Sequence, residues 1–170
     1  MNAQSAAAQF AVVRTYATGL AIVTFNPVLR DEFRRLNVAW LERYFKVEPI
    51  DERVLSNPEQ EILAPGGEIL FALLDGEVVG TVALKLDEDE LELTKMAVDE
   101  RWQGRGYGQC LLETALDVAR ARGKRRVVLY TQTALKPAIA LYYKNGFRDV
   151  AGCLTKYARC DVKMAKVLAD

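Results

Sequence analysis

The sequence predicts one mixed α/β domain, and three observations carry that expectation. A short alternating run over 91–98 leads through a glycine-rich turn into a helical pattern that stops at Arg122-Gly123. Two further strand patterns, over 68–74 and 77–86, flank Asp75-Gly76, a dipeptide that closes hairpins. Past the central unit, a strand pattern over 126–131 is followed by a helical one over 135–145. At 170 residues the chain has the length of one domain, and 51% hydrophobic residues supply a sizeable core.

The elements follow in order. Residues 1 to about 10 carry no periodic pattern and read as a mobile end. Residues 12–16 read as a short strand or as part of that extension, and 20–25 is the first full strand. Pro27 sits where a helix can begin, and Phe33, Leu36, Trp40, Leu41 and Tyr44 then recur at helical spacing. A short helix over 51–55 precedes the breakers Asn57-Pro58 and Pro65-Gly66-Gly67. The acidic run 87–90 reads as a solvated turn. Strict alternation over 91–98 gives two faces: Leu91, Leu93, Lys95, Ala97 and Glu92, Thr94, Met96, Val98. Leu111, Leu112, Ala115, Val118 and Ala119 form the stripe of the next helix, whose basic end (Arg120, Arg122) complements its dipole. Two strands over 149–154 and 158–167 close the chain as a hairpin.

Charge and composition exclude several function classes. Lys plus Arg and Asp plus Glu are 23 each, so the chain lacks the basic excess of a nucleic-acid partner. No apolar run has the length of a membrane span, and the start lacks the pattern of a signal peptide, so the expected compartment is the cytoplasm. Cys110, Cys153 and Cys160 form neither a metal-type pair nor an even disulfide set, and no metal is expected. There is no histidine, which removes Ser-His-Asp and Cys-His chemistry. Proton transfer must use carboxylates, tyrosine, lysine, cysteine or water.

Gly104, Gly106 and Gly108 stand between the strand and the helix of the central unit. Glycines let a backbone approach a ligand closely, and the first N–H groups of a helix attract phosphate. Arg101 and Arg105 would add charge at the rim. A Walker loop requires Lys and then Ser or Thr, but Gln109 and Cys110 follow Gly108. A dinucleotide fingerprint fails because Gln109 and Leu111 occupy the positions of its last glycine.

The turn resembles the first motif of the GNAT N-acetyltransferases: Gln or Arg, two residues, Gly, one residue, then Gly or Ala. Gln103, Gly106 and Gly108 fit it. About 30 residues on, Ala138-Ile-Ala-Leu-Tyr142-Tyr-Lys-Asn-Gly146-Phe147 resembles the second motif of the same family. The resemblance covers roughly residues 20 to 167. It implies a central, mostly antiparallel mixed sheet that splays at the fourth strand, flanked by helices. It also implies acetyl-CoA as co-substrate, a small-molecule amine as acceptor, and a fold in which homodimers are common. One departure is Leu135, which stands where many members carry Asn; Gln132 or Thr133 would supply the polar group instead.

The resemblance assigns candidate roles. Met96, Ala97 and Val98 would bind the pantetheine arm and polarise the acetyl carbonyl through their backbone. Gln103, Gly104, Arg105, Gly106, Tyr107 and Gly108 would hold the pyrophosphate. Tyr142 is either the acid that protonates the departing thiolate or a core aromatic. Glu92 is either the base that frees the amine of its proton or a strand carboxylate paired with a basic group such as Lys95. Trp40 and Tyr44 either line the acceptor pocket or belong to the core stripe. Cys110 sits in an apolar helical pattern and reads as packing. The expected function is acetyl transfer to a primary amine in a ternary complex. The alternative is a non-catalytic acyl-CoA-sensing module of the same fold.

Overall fold

A computed structural model of the chain describes residues 8–88, 90–151 and 157–168. Among these, eight strands form one sheet: β1 (Val12–Thr15), β2 (Ala21–Thr24), β3 (Glu68–Leu74), β4 (Glu77–Asp87), β5 (Glu90–Val98), β6 (Arg126–Thr131), β7 (Arg148–Val150) and β8 (Val162–Val167). Their spatial order is β1-β2-β3-β4-β5-β6-β8-β7. Every neighbouring pair is antiparallel except β5 and β6, which run parallel. The helices are α1 (Arg30–Tyr44), α2 (Pro49–Ser56), α3 (Tyr107–Ala121) and α4 (Lys136–Lys144).

The helices cover the sheet on both faces. Leu111, Leu112, Ala115, Leu116 and Ala119 of α3 pack in one cluster with Leu70, Val82, Leu84, Leu91 and Leu93. Phe33, Leu36 and Leu41 of α1 and Val54 and Leu55 of α2 pack on the opposite face, with Ile69, Phe71, Ala83 and Ala97. Gly80 sets how closely α3 approaches the sheet: a Cβ there would lie 2.9 Å from Leu111 Cδ1 and 3.2 Å from the Ala97 carbonyl oxygen. Only a residue without a side chain admits that contact.

Two expectations are corrected. Strict alternation of β5 fails at Lys95. Thr81 pairs with Ala97 but Ala83 pairs with Thr94, so β5 carries one extra residue. Lys95 takes φ +53, the backbone turn of a bulge. The phase therefore flips: Leu91, Leu93, Met96 and Val98 share the α3 face, whereas Ala97 belongs to the α1 and α2 face. Glu92, opposite Lys85, and Thr94, opposite Ala83, lie on this second face, so Glu92 does not share a face with Met96 and Val98. Secondly, β8 begins at Val162 rather than at 158. Ala158 N–H donates to Glu48 Oε1 (3.1 Å) and Arg159 bonds Glu48 and Asp51, which draws this stretch out of the ladder. Most of 151–154 falls outside the described residues; β7 covers Arg148–Val150. Of the unpatterned start, residues 1–7 lie outside the described residues, and Phe10 packs beside the second cluster.

Candidate active site

β5 and β6 pair only at Leu91 with Val127 and Glu92 with Val128. Beyond that point they diverge. β5 keeps its ladder with β4 through Val98, while β6 keeps its ladder with β8 through Thr131. The two facing edges thus carry backbone N–H and C=O groups with no strand between them. A sheet interior rarely leaves such groups unsatisfied, and a ligand with peptide-like amides fits the gap.

A cleft of about 530 Å³ occupies this gap. One wall is Thr94 to Val98, and the other is Tyr130 to Gln132 with Pro137, Ala138, Leu141 and Tyr142 of α4. At one end stands the start of α3. Gly106, with φ +85, caps it, and its first intrahelical bond runs from Cys110 N–H to the Gly106 carbonyl (3.2 Å). The N–H groups of Tyr107, Gly108 and Gln109 are therefore left without an intrahelical acceptor and point outward with the positive end of the dipole. A Cβ at Gly104 (φ +77) or Gly106 would meet no atom within 4 Å, so the space over the turn is open to a ligand. Trp102 Nε1, buried beside this end, has no hydrogen-bond partner among the described residues. Gly-rich backbone, an open concavity and orphan N–H donors together suit a pyrophosphate.

At the other end α1 brings Asn37, Trp40, Leu41 and Tyr44, followed by Phe45. Here too lie Glu92, which is 2% exposed, Lys95, Tyr157 and Arg159. Asp51, fully buried on α2, accepts from Lys95 Nζ (2.6 Å) and from both terminal nitrogens of Arg159 (2.7 and 2.9 Å). Burial alone would raise its pKa, but the Arg159 and Lys95 hydrogen bonds hold the carboxyl below the ordinary range. Burial pushes the Lys95 ammonium down despite its bond to Asp51. Lys95 Nζ and Arg159 Cζ each lie 4.7 Å from the centroid of the Tyr157 ring.

The family model of the acetyltransferase (GNAT) family matches residues 29–147. The chain belongs to the GNAT family. It is 31% identical over 143 residues to a mycothiol acetyltransferase of Clavibacter sepedonicus, covering 81% of this chain and 46% of that protein. The chain thus spans about half the length of such curated relatives. Its fold matches a GNAT-family acetyltransferase of Staphylococcus aureus with TM-score 0.80 and 24% identity, over 88% of this chain and 99% of that one. It also matches PaiA N-acetyltransferase of Thermoplasma acidophilum, solved in complex with coenzyme A. There the TM-score is 0.68 and identity 19%, over 88% and 99% of the two chains.

The GNAT fold brings most of the sequence candidates to this cleft. Met96, Ala97, Val98, Gln103, Gly104, Gly106, Tyr107, Gly108, Gln132, Tyr142, Glu92, Trp40 and Tyr44 all line it. Gln103 Nε2 donates to the Val98 carbonyl (3.0 Å), which ties the turn to the end of β5. Arg105 stacks over Trp102 at 4.9 Å and does not line the cleft, and Arg101 is held by Asp99 and Glu77. Of the two replacements for the missing Asn, Gln132 lines the cleft, whereas Thr133 is held by Asp161 (2.9 and 2.8 Å) and does not. Cys110 packs beside the α3 cluster.

Tyr142 is 8% exposed and rests edge-on against Phe147 (5.8 Å). Burial pushes its pKa up to about 12, so it stays a proton donor. Tyr142 packs in the α3 cluster and also lines the cleft. Sequence reading missed Asn37, Asp51, Tyr157 and Arg159. Asn37 had a signal, a polar residue inside the apolar stripe of α1; Asp51 and Arg159 had none, being 108 residues apart.

Proposed function

We propose that the chain is an N-acetyltransferase that moves an acetyl group from acetyl-CoA to a primary amine by direct attack in a ternary complex. The observation that carries this reading is the unpaired gap between β5 and β6, with the start of α3 at one end and Tyr142 in its wall. In this reading acetyl-CoA supplies the activated acyl group and the leaving thiolate.

The chain's residues do the rest. The free edge of β5, at Met96 to Val98, takes the amides of the pantetheine arm and offers N–H to the oxygen that gains charge. The turn from Gln103 to Gly108 holds the pyrophosphate, with Arg105 at its rim. Glu92, directly or through water, takes the proton that an ammonium must lose before it can attack. Tyr142, neutral because of its burial, gives a proton to the departing sulfur. Gln132 keeps Nε2 for the arm, because its Oε1 is spent on Ala134 N–H (2.6 Å). Trp40 and Tyr44 flank the acceptor end. Holding both reactants in one cleft supplies the proximity that this chemistry needs.

Thiol release with an amine panel tests the assignment. Tyr142→Phe is expected to lower kcat by roughly a hundredfold while leaving the KM for acetyl-CoA unchanged. Equal turnover in the variant removes Tyr142 as the acid. No turnover of any amine by a wild type that binds acetyl-CoA points instead to a sensing module.

A further inference from the structure

The acceptor end of the cleft carries more information than its location. Asn37 sits on the cleft face of α1, 3% exposed, among Phe33, Leu36 and Leu41. Its Nδ2 donates to the Phe33 carbonyl (3.0 Å), which spends one of its two N–H groups on the helix and leaves Oδ1 to accept from a ligand. An amide oxygen accepts from an N–H and repels a carboxylate. Around it Trp40 lies 5.5 Å from Tyr44 and 5.7 Å from Phe45, ring to ring, so the wall beside this acceptor is aromatic. The cationic side chains lining the cleft, among the described residues, are Lys95 and Arg159. Both bond the fully buried Asp51, and Arg159 also bonds Glu48 (2.7 Å). The two cations therefore bond two carboxylates, with Glu92 a third acidic side chain at the same end, and a ligand carboxylate would have to draw a cation from a buried partner or remain unpaired.

We infer that the acceptor is an amine with an aromatic or apolar body and no carboxylate beside the amino group, and that Asn37 Oδ1 receives its N–H. This inference rests on the acetyl-transfer reading above. Asn37 is thus a specificity-determining residue: it orients the amine while Trp40 and Tyr44 hold the body.

Phenethylamine and phenylalanine differ by one carboxylate and form the test pair, with aspartate as a third acceptor. The expected kcat/KM with acetyl-CoA is higher for phenethylamine than for phenylalanine by about tenfold or more. Asn37→Leu is expected to raise the KM for phenethylamine by about tenfold and to leave the calorimetric Kd for acetyl-CoA unchanged, a split that a folding defect would not give. Phenylalanine or aspartate used as well as phenethylamine overturns the inference and leaves acetyl transfer standing. An unchanged phenethylamine KM in Asn37→Leu overturns the role of Asn37. Acetyl-CoA binding without turnover of any of the three also overturns the acceptor class. Absence of acetyl-CoA binding removes the reading beneath it.

Discussion

Asp51 is fully buried and accepts hydrogen bonds from Lys95, from Arg159 and from the Glu48 backbone N–H. A buried ion pair contributes little net stability compared with apolar packing, but removing one partner strands the other charge. Asp51→Asn is therefore expected to lower unfolding free energy by about 3–5 kcal/mol, read as a reduced urea midpoint. A Lys95→Met, Asp51→Leu double variant should lose less than the sum of the two single changes, because neither Lys95 nor Asp51 is left facing an apolar replacement, while Arg159 keeps Glu48. Lys95 was visible in the sequence only as a lysine on an apolar strand face. Its positive φ flips Met96, Ala97 and Val98, and its side chain bonds a partner 44 residues away on α2. Period-two reading assumes an unbroken pleat, and a bulge is the local event that breaks it. Tyr142 was legible because its neighbours in the second motif fix its place on the helix. Its burial, and hence a pKa of about 12, is a tertiary property.

At the level of elements, the turn between β5 and α3 shows what a short sequence can and cannot specify. Three glycines at alternate positions pointed to an anion cradle, and two of them, Gly104 and Gly106, take positive φ. A Cβ at Gly108 would lie 3.8 Å from Leu141 Cδ2, an ordinary packing distance, so the protein around it makes no steric demand for glycine. The turn is also held from outside. Asp99 caps the 3₁₀ segment Glu100–Trp102 and bonds Arg101 (3.2 Å) and Arg35 (3.2 Å). The Arg101 hydrogen bond, foremost, holds its carboxyl down to about 2 from 3.8. A depressed carboxyl stabilises the fold above its unfolded value, and that stabilisation disappears as pH falls from about 4 through 2. The melting temperature of the wild type should accordingly drop more steeply across this window than that of Asp99→Asn. A parallel slope would show that the Asp99 ion pairs do not hold the turn. The docking of α3 is tested at Gly80. Gly80→Val would press on Leu111 and the Ala97 carbonyl, costing about 1–3 kcal/mol of stability and displacing the helix start from the end of β5. Weaker acetyl-CoA binding should accompany the lower thermal midpoint.

Across the whole molecule, the sheet is continuous except where β5 and β6 part after Glu92 and Val128. The central unit, the hairpin and the second motif were readable because their signals are local: alternation, Asp75-Gly76, glycine spacing and helical stripes. The partition of the helices between two faces, the insertion of β8 between β6 and β7, and the meeting of α2 with the segment before β8 were not, because each is fixed by contacts between distant segments. No helix among the described residues is long and apolar enough to cross a membrane. The gap in the sheet, with the α3 start at its end, is the feature on which the functional reading stands. Calorimetric titration of acetyl-CoA into the wild type and into Gly106→Glu addresses it most directly. The variant places bulk and negative charge where Gly106 faces open space. Micromolar binding by the wild type, abolished in Gly106→Glu, is the expected result. No binding by the wild type, or equal binding by the variant, would contradict the assignment of this cleft.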